Sequence, residues 1–274
     1  MQLSLSVRVA EAFGNKREID IELPDLARIA KDASYEALCM RASMAGIHST
    51  PERIREVRQT LDEIGLAVSM VTGDFAVPEN SDEGPGCLRN ITPFLDLADA
   101  LRSDLIRICM KKSEDIAFAQ RAADQARERN IRLAHQSHTR SLFETVAGSL
   151  DVLKQVNRPN FGIIYEPANL ALCGEPYGPD TLKAFHPFLF NVYLQNHVPD
   201  PEGTMPMTTW VRGTVMSTLR PLQEPGGIDF ERVFAGLEAI DYSGTVTLHH
   251  AFGQHMPPQE AANQSAEFLR SLMG

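Results

Sequence analysis

Short β-rich runs alternate with helix-patterned segments along the whole chain, beginning near residues 3, 36, 67, 105, 131, 161, 191 and 245. Most are spaced by about 30 residues, the length of one strand-helix-strand step. A parallel sheet must cover both of its faces with helices, and eight such steps close on themselves as a barrel. The pattern therefore predicts an α/β fold, a single (β/α)8 TIM barrel domain over residues 1–274. Helix punctuation agrees: Ser49, Thr50 and Pro51 precede ERIREVRQTLDEIG and Gly65 closes it, Gly227 precedes IDFERVFAGLEAI, and the chain finishes on QEAANQSAEFLRSLMG.

Two connections exceed the usual few residues, 74–86 (DFAVPENSDEGPG) after the third strand and 198–226 after the seventh. Both lie on the face where strands run out, so both are lid candidates. The second carries Met205, Met207 and the lone Trp210, and is equally suited to bury apolar surface against a second copy in a homo-oligomer.

Strand alternation sorts side chains, because the outer face of a barrel strand packs on helices and should be apolar. Leu3, Leu5 and Val7 face out, leaving Ser4, Ser6 and Arg8 inside; Leu38 and Met40 leave Cys39 and Arg41; Ile106, Ile108 and Met110 leave Arg107, Cys109 and Lys111. The later strands leave Gln136 and His138, then Ile164 and Glu166, then Tyr193, Gln195 and His197, then Thr247 and His249.

The polar groups gather in LAHQSH (133–138), IIYEPANL (163–170), VYLQNH (192–197) and VTLHHAF (246–252), at the C-terminal ends of strands where barrels keep their chemistry. Any one strand-end histidine is more often a hydrogen-bonded structural residue than a catalyst; convergence from four consecutive strands shifts that balance. Glu166 is the firmest candidate, since a carboxylate at the end of FGIIY is costly to bury without a cation or donor. Arg8, Arg41, Arg107 and Lys111 form a cationic half opposite it. A guanidinium fork suits a substrate carboxylate or phosphate, the alternative being an internal ion pair with Glu36 or Asp74. His48, Asn169, Tyr193 and His197 complete the substrate-facing set, although Asn169 beside Pro167 can simply shape the turn.

A formal net charge of −10 with no basic run interleaved with aromatics argues against nucleic acid and anionic membranes as partners. The start MQLSLSVRVAEAF has no signal-peptide pattern, and no apolar run reaches the roughly 18 residues of a membrane span, so a cytoplasmic location is expected. Cys39, Cys87, Cys109 and Cys173 form no CxxC pair and read as buried small residues rather than disulfides or thiolate ligands.

At AHQSH, YEPANL, VYLQNH, GGIDF and GTVTLHH the chain resembles, over almost its whole length, the xylose-isomerase-like superfamily of barrels, which includes sugar isomerases, epimerases, dehydratases and apurinic-site endonucleases. The resemblance implies one divalent metal held by Glu, Asp, His and Glu on strands five to eight. Position by position this chain offers Gln136, Glu166, Tyr193 and His249, and only Glu166 keeps its counterpart's charge type. A metal would then be held by His249 and Glu166 with His138, Gln136 or Gln195, a set better suited to Zn, Mn, Ni or Fe than to Mg. In the epimerases of the family the acids on strands five and eight exchange the proton. Gln136 cannot titrate, so a one-base route through Glu166 or His249 is expected instead.

The function so implied is a sugar isomerase/epimerase-like enzyme that abstracts a proton next to the carbonyl of a small, polyhydroxylated, anionic sugar or sugar acid. The alternatives are a dehydratase or other lyase acting on a keto-sugar or sugar acid, and a non-catalytic sugar-acid-binding barrel. A nuclease is disfavoured by the acidic balance.

Overall fold

The computed structural model describes residues 1–251 and 256–273. Phe252, which ends the last polar stretch, and the terminal Gly274 lie outside the described residues. Eight parallel strands close into a barrel: β1 (Gln2–Ser6), β2 (Ala37–Arg41), β3 (Ala67–Thr72), β4 (Leu105–Ile108), β5 (Arg132–Gln136), β6 (Phe161–Tyr165), β7 (Leu189–Leu194) and β11 (Thr245–Leu248). Strands β8 to β10 form a separate sheet described below. Closure is made by β1, which pairs with β2 on one side and β11 on the other, with Leu3 beside Val246 and Leu5 beside Leu248. Each barrel strand starts within two residues of its expected place, because the β-branched runs and the spacing between them are both dictated locally.

Ten α-helices occur among the described residues: α1 (Leu23–Asp32), α2 (Pro51–Ile64), α3 (Gly86–Arg89), α4 (Thr92–Leu101), α5 (Asp115–Glu128), α6 (Val146–Val156), α7 (Pro167–Cys173), α8 (Pro179–Phe185), α9 (Phe230–Ala239) and α10 (Pro258–Met273). In α2, Thr50 Oγ1 accepts the Arg53 amide at 3.2 Å and Gly65, at φ +75°, ends the helix in the left-handed region that an L side chain resists. No described helix is long and apolar enough to cross a membrane.

Inside the barrel the side chains stack in layers. Ser4 bonds Ser69 at 2.7 Å and Thr247 bonds Asn191 at 3.0 Å. Above them Cys39, Met70, Leu105, Ala134, Ile164 and Tyr193 form a small apolar plug separate from the large core between strands and helices. The plug leaves no channel and puts a floor beneath the polar residues at the strand ends.

Residues 198–226, read from sequence as a loop, hold most of a three-stranded antiparallel sheet in the order β8-β10-β9: β8 (Asn196–Pro199), β9 (Met205–Thr209) and β10 (Gly213–Arg220). The MPMTT and GTVMSTLR runs alternate too weakly to stand out, and one face stays in solvent. Trp210 (52%), Val211 (51%) and Met216 (37%) are exposed. Two fastenings bind the sheet to the barrel. Asn196 donates to the carbonyls of Pro221 and Glu224 and accepts the Ile228 amide at 2.8 Å, an approach so close that a Cβ at Gly227 would collide with it. At the hairpin tip Glu144, buried between β5 and α6, accepts the amides of Trp210 at 2.7 Å, Val211 at 3.0 Å and also Arg140.

A buried carboxylate that accepts three backbone amides cannot be truncated without stranding those donors. Glu144→Ala is expected to destabilise the hairpin locally and to speed amide hydrogen exchange at Trp210 and Val211 by about ten-fold or more, well beyond any change in β4. Unaltered exchange at the two tip amides would show that the hairpin is held by something else.

Candidate active site

Glu166 is the first residue past β6 and precedes Pro167 at the start of α7, so the turn from strand to helix fixes its direction. Its side chain is fully buried. Three amide groups donate to it: Asn169 Nδ2 at 2.8 Å, and Gln136 and Gln195 through Nε2. Burial pushes its carboxyl up to about 7, against the opposing pull of the Gln136 hydrogen bond, the Arg107 charge and the Gln195 hydrogen bond. A carboxylate of this kind exchanges its proton near neutral pH.

His249 is the first residue past β11. Nδ1 meets Ser6 Oγ at 3.0 Å and the ring stacks on Tyr193 at 4.3 Å between centroids. Desolvation, reinforced by Arg41, Arg107, Arg8 and Lys16, holds the imidazole well below its ordinary pKa and keeps it neutral. Tyr193 is itself fully buried with its hydroxyl 2.9 Å from Cys39 Sγ, which makes it the support of the histidine rather than a group facing substrate.

Opposite lies the cationic half. Arg41 is 1% exposed and donates from Nε to Glu11 Oε1 at 2.7 Å; its Nη1 and Nη2 are buried without a partner. Arg107, 2% exposed, has no hydrogen bond or ion pair among the described residues, and burial lowers its pKa with Arg41 adding to the effect. Lys16, half-buried, also lacks a partner there; desolvation and the charges of Arg41, Arg8 and Arg107 lower its ammonium to about 8.

Several expected residues are placed elsewhere, and each lies beyond the end of its strand, where alternation no longer governs direction. Arg8 donates to the carbonyls of Glu11, Ala12 and Phe13, holding the loop after β1. Lys111 Nζ meets the Arg140 carbonyl at 2.8 Å, lies 3.6 Å from Asp82 and sits over the Trp210 ring. His138 Nδ1 contacts Asn80 Nδ2 and the Thr139 carbonyl, and desolvation keeps it neutral. His197 belongs to the side sheet, bonded to Ser217 Oγ at 2.7 Å. His48 is exposed and stacked on Phe75. Asn169, by contrast, stays at the site, where it donates to Glu166 and to the Ser137 carbonyl.

Two residues at the site were not read from the sequence. Glu11, not Glu36 or Asp74, is the ion-pair partner of Arg41, and Lys16 joins the cation cluster. Both stand in the connection between β1 and α1, whose length, comparable to the two stretches singled out above, is the signal that could have exposed them.

The geometry can be compared with that of known proteins. The family model of the xylose isomerase-like TIM barrel matches residues 27–272. The chain belongs to this family. Its fold is similar to that of the probable 3-DHS dehydratase involved in petrobactin synthesis from Bacillus anthracis, with 16% identity, a TM-score of 0.73, and 98% of this chain and 99% of that one covered. A D-allulose 3-epimerase from Methylomonas sp. superposes with 17% identity, a TM-score of 0.70, and 99% and 98% covered. A xylose isomerase-like TIM barrel protein from Mycobacterium smegmatis, in complex with magnesium, gives 15% identity, a TM-score of 0.69, and 100% and 96% covered. At these identities the likeness establishes the fold alone. No curated protein matches the sequence.

The residues present do not fit the divalent metal that the resemblance implies. Glu166 brings the one carboxylate of the expected ligand set, its oxygens are met by three amide N–H donors, and Arg107 and Lys16 stand near enough to act on its charge. A hard divalent ion needs several oxygens turned toward it and a net negative surrounding, whereas here the one carboxylate is met by N–H donors and flanked by cations; a softer ion would find one imidazole, His249, whose Nδ1 is already at Ser6. Among the described residues no group of three or more His, Cys, Asp or Glu side chains is placed to hold a metal.

Because Glu166 carries a raised pKa, the folded state binds its proton more tightly than the unfolded chain, so stability is lost as pH rises through about 7. Gln136→Glu sets a second acid against it and is expected to deepen that loss, lowering stability by about 2 kcal/mol more at pH 8 than at pH 5, where one shared proton relieves the repulsion. Thermal melts at the two pH values measure the difference, and equal losses at both would mean that the two side chains do not face each other.

Proposed function

We propose that this barrel is a sugar isomerase/epimerase-like enzyme acting on a small, polyhydroxylated, anionic carbonyl compound by proton abstraction next to the carbonyl, with Glu166 as base. The observation that carries this reading is the Glu166 carboxylate, oriented by three amides, buried, and titrating near neutral pH at the strand ends. Glu166 takes the proton from the carbon beside the carbonyl, and the electron pair left behind becomes an enolate whose oxygen carries the charge. Arg107 and Lys16, whose charges both act on Glu166, make the surroundings of that oxygen positive, worth several kcal/mol in a site that excludes water. His249, neutral and fixed through Nδ1 to Ser6, orients the substrate by hydrogen bonding rather than by charge.

Returning the proton to the former carbonyl carbon, with the hydroxyl proton of the enediolate passing to the other oxygen, completes an isomerisation; protonation of the original carbon on the opposite face, by an acid other than Glu166 or after the intermediate turns in the site, completes an epimerisation. Loss of a β-hydroxyl as water, with the proton held by Glu166, completes a dehydration. The three share their first step, and the similarity in fold to two kinds of enzyme, an epimerase and a probable dehydratase, supports that common step without choosing the second.

The test is proton exchange. In deuterium oxide the protein is expected to place deuterium on the carbon next to the carbonyl of keto-sugar acids, with Glu166→Gln reducing the rate by about a hundred-fold or more. The Glu166 carboxylate is the active form, so kcat/KM of the parent should rise with pH through an apparent pKa of about 7, and this limb should disappear in the variant. Exchange that is unchanged by Glu166→Gln would remove the carboxylate from the reaction. Binding of sugar acids with no exchange would instead identify a non-catalytic barrel.

A further inference from the structure

Positive charge at the mouth exceeds what the protein itself pairs. Arg41 and Arg107 act on each other and on Lys16 there, with Arg8 adding its charge from the loop after β1, while the carboxylates among them are Glu11, which Arg41 and Arg8 share, and Glu166, which the amides occupy. Glu79, at the edge, is taken by Arg17 at 2.8 Å. Both Nη groups of Arg41 are buried and without a hydrogen-bond partner, and Arg107, 2% exposed, makes no hydrogen bond or ion pair among the described residues. A buried guanidinium without an ion pair, as at Arg107, destabilises a fold strongly, and Arg41 spends only its Nε on Glu11, so neither open fork is explained by structure. Each presents a planar fork of N–H donors, the shape that grips two oxygens of one carboxylate or phosphate.

We propose that Arg41 and Arg107 together bind an oxyanion of the substrate, and that this fixed positive charge stands in place of the divalent metal, making the site an anion-binding and metal-independent one. The inference rests on the reading of the barrel mouth as the substrate site, and narrows the substrate to compounds carrying a carboxylate or phosphate. The Arg41 Nε to Glu11 bond, with Ser43 Oγ holding the same carboxylate oxygen at 2.7 Å, aims the open end of the fork. Arg107 comes from β4, where strand alternation turns it inward, near enough to Arg41 for the two charges to act on each other. The anion anchors on the two guanidinium groups, Lys16 remains to favour charge on the enolate oxygen, and Glu166 is left free to act on the rest of the molecule.

The experiment is a binding measurement on chelator-treated full-length protein, by isothermal titration calorimetry with inorganic phosphate, sodium D-gluconate, neutral xylitol and, separately, MnCl2. One-to-one binding of phosphate or gluconate, no binding of xylitol and no saturable binding of manganese are expected. Tighter binding of gluconate assigns a carboxylate, tighter binding of phosphate a phosphoryl group. Arg107→Gln should weaken the anion by about ten-fold or more, and its melting temperature without anion should equal or exceed the parent's, because the guanidinium it removes has no partner. Arg41→Lys, which keeps the charge but loses the fork, should weaken the anion too.

The proposal is overturned if neither anion binds, if Arg107→Gln binds anion as the parent does, or if manganese binds one-to-one and is lost in Glu166→Gln. A fall in melting temperature in Arg107→Gln without anion would make the residue structural and overturn its assignment. None of these readouts needs turnover. Failure of proton exchange with anion binding intact would strike the catalytic reading alone, and failure of anion binding with exchange intact would strike this one alone.

Discussion

The parallel ladder that closes β1 onto β11 is the constraint from which everything at the mouth follows. Once Leu5 pairs with Leu248 on one side and Leu38 on the other, the ends of all eight strands stand in a ring, and the residues that alternation turns inward have nowhere to go but toward one another. Cys39, Met70, Leu105, Ala134, Ile164 and Tyr193 fill the interior. The next inward residues, Arg41, Arg107, Gln136, Glu166 and Gln195, with His249 from the end of β11, are therefore crowded together above an apolar floor. Burial raises the carboxyl to about 7 against the pull of the nearby cations, and burial reinforced by those cations keeps the imidazole neutral.

That crowding shows why the site has the character it does. Three amides that can only donate N–H to a carboxylate orient Glu166 without supplying the negative charge a metal would need. Fixed cations stand opposite. The family scaffold is retained, and the substitution of glutamine and tyrosine for acidic and histidine ligands moves the positive charge from a bound ion to the protein's own side chains.

The fold was legible because its signals are local and repeated: β-branched runs, helix caps such as Thr50 with Pro51, and a regular spacing. Site residues were legible in proportion to their closeness to a ladder. Arg41, Arg107, Gln136 and Tyr193 lie inside strands, and Glu166, Gln195 and His249 one residue past them; all take the direction that alternation gives. Arg8, Lys111, His138 and His197 lie two or more residues past, where hydrogen bonds to loop carbonyls, a tryptophan ring and a serine in another sheet decide their direction instead. Glu11 and Lys16 were invisible for the same reason. They reach the site from a connection with no period to read, and the pairing of Glu11 with Arg41 spans chain segments that only the closed barrel brings together.

Whether the mouth attracts an anion or a cation decides the account most directly. Crystals of the full-length protein grown with selenate and manganese together, measured above and below both absorption edges, answer it in one experiment. Selenium density between Arg41 and Arg107, with no manganese at Glu166, is the expected result. Manganese bound at Glu166 and His249, with no selenium beside the arginines, would contradict it.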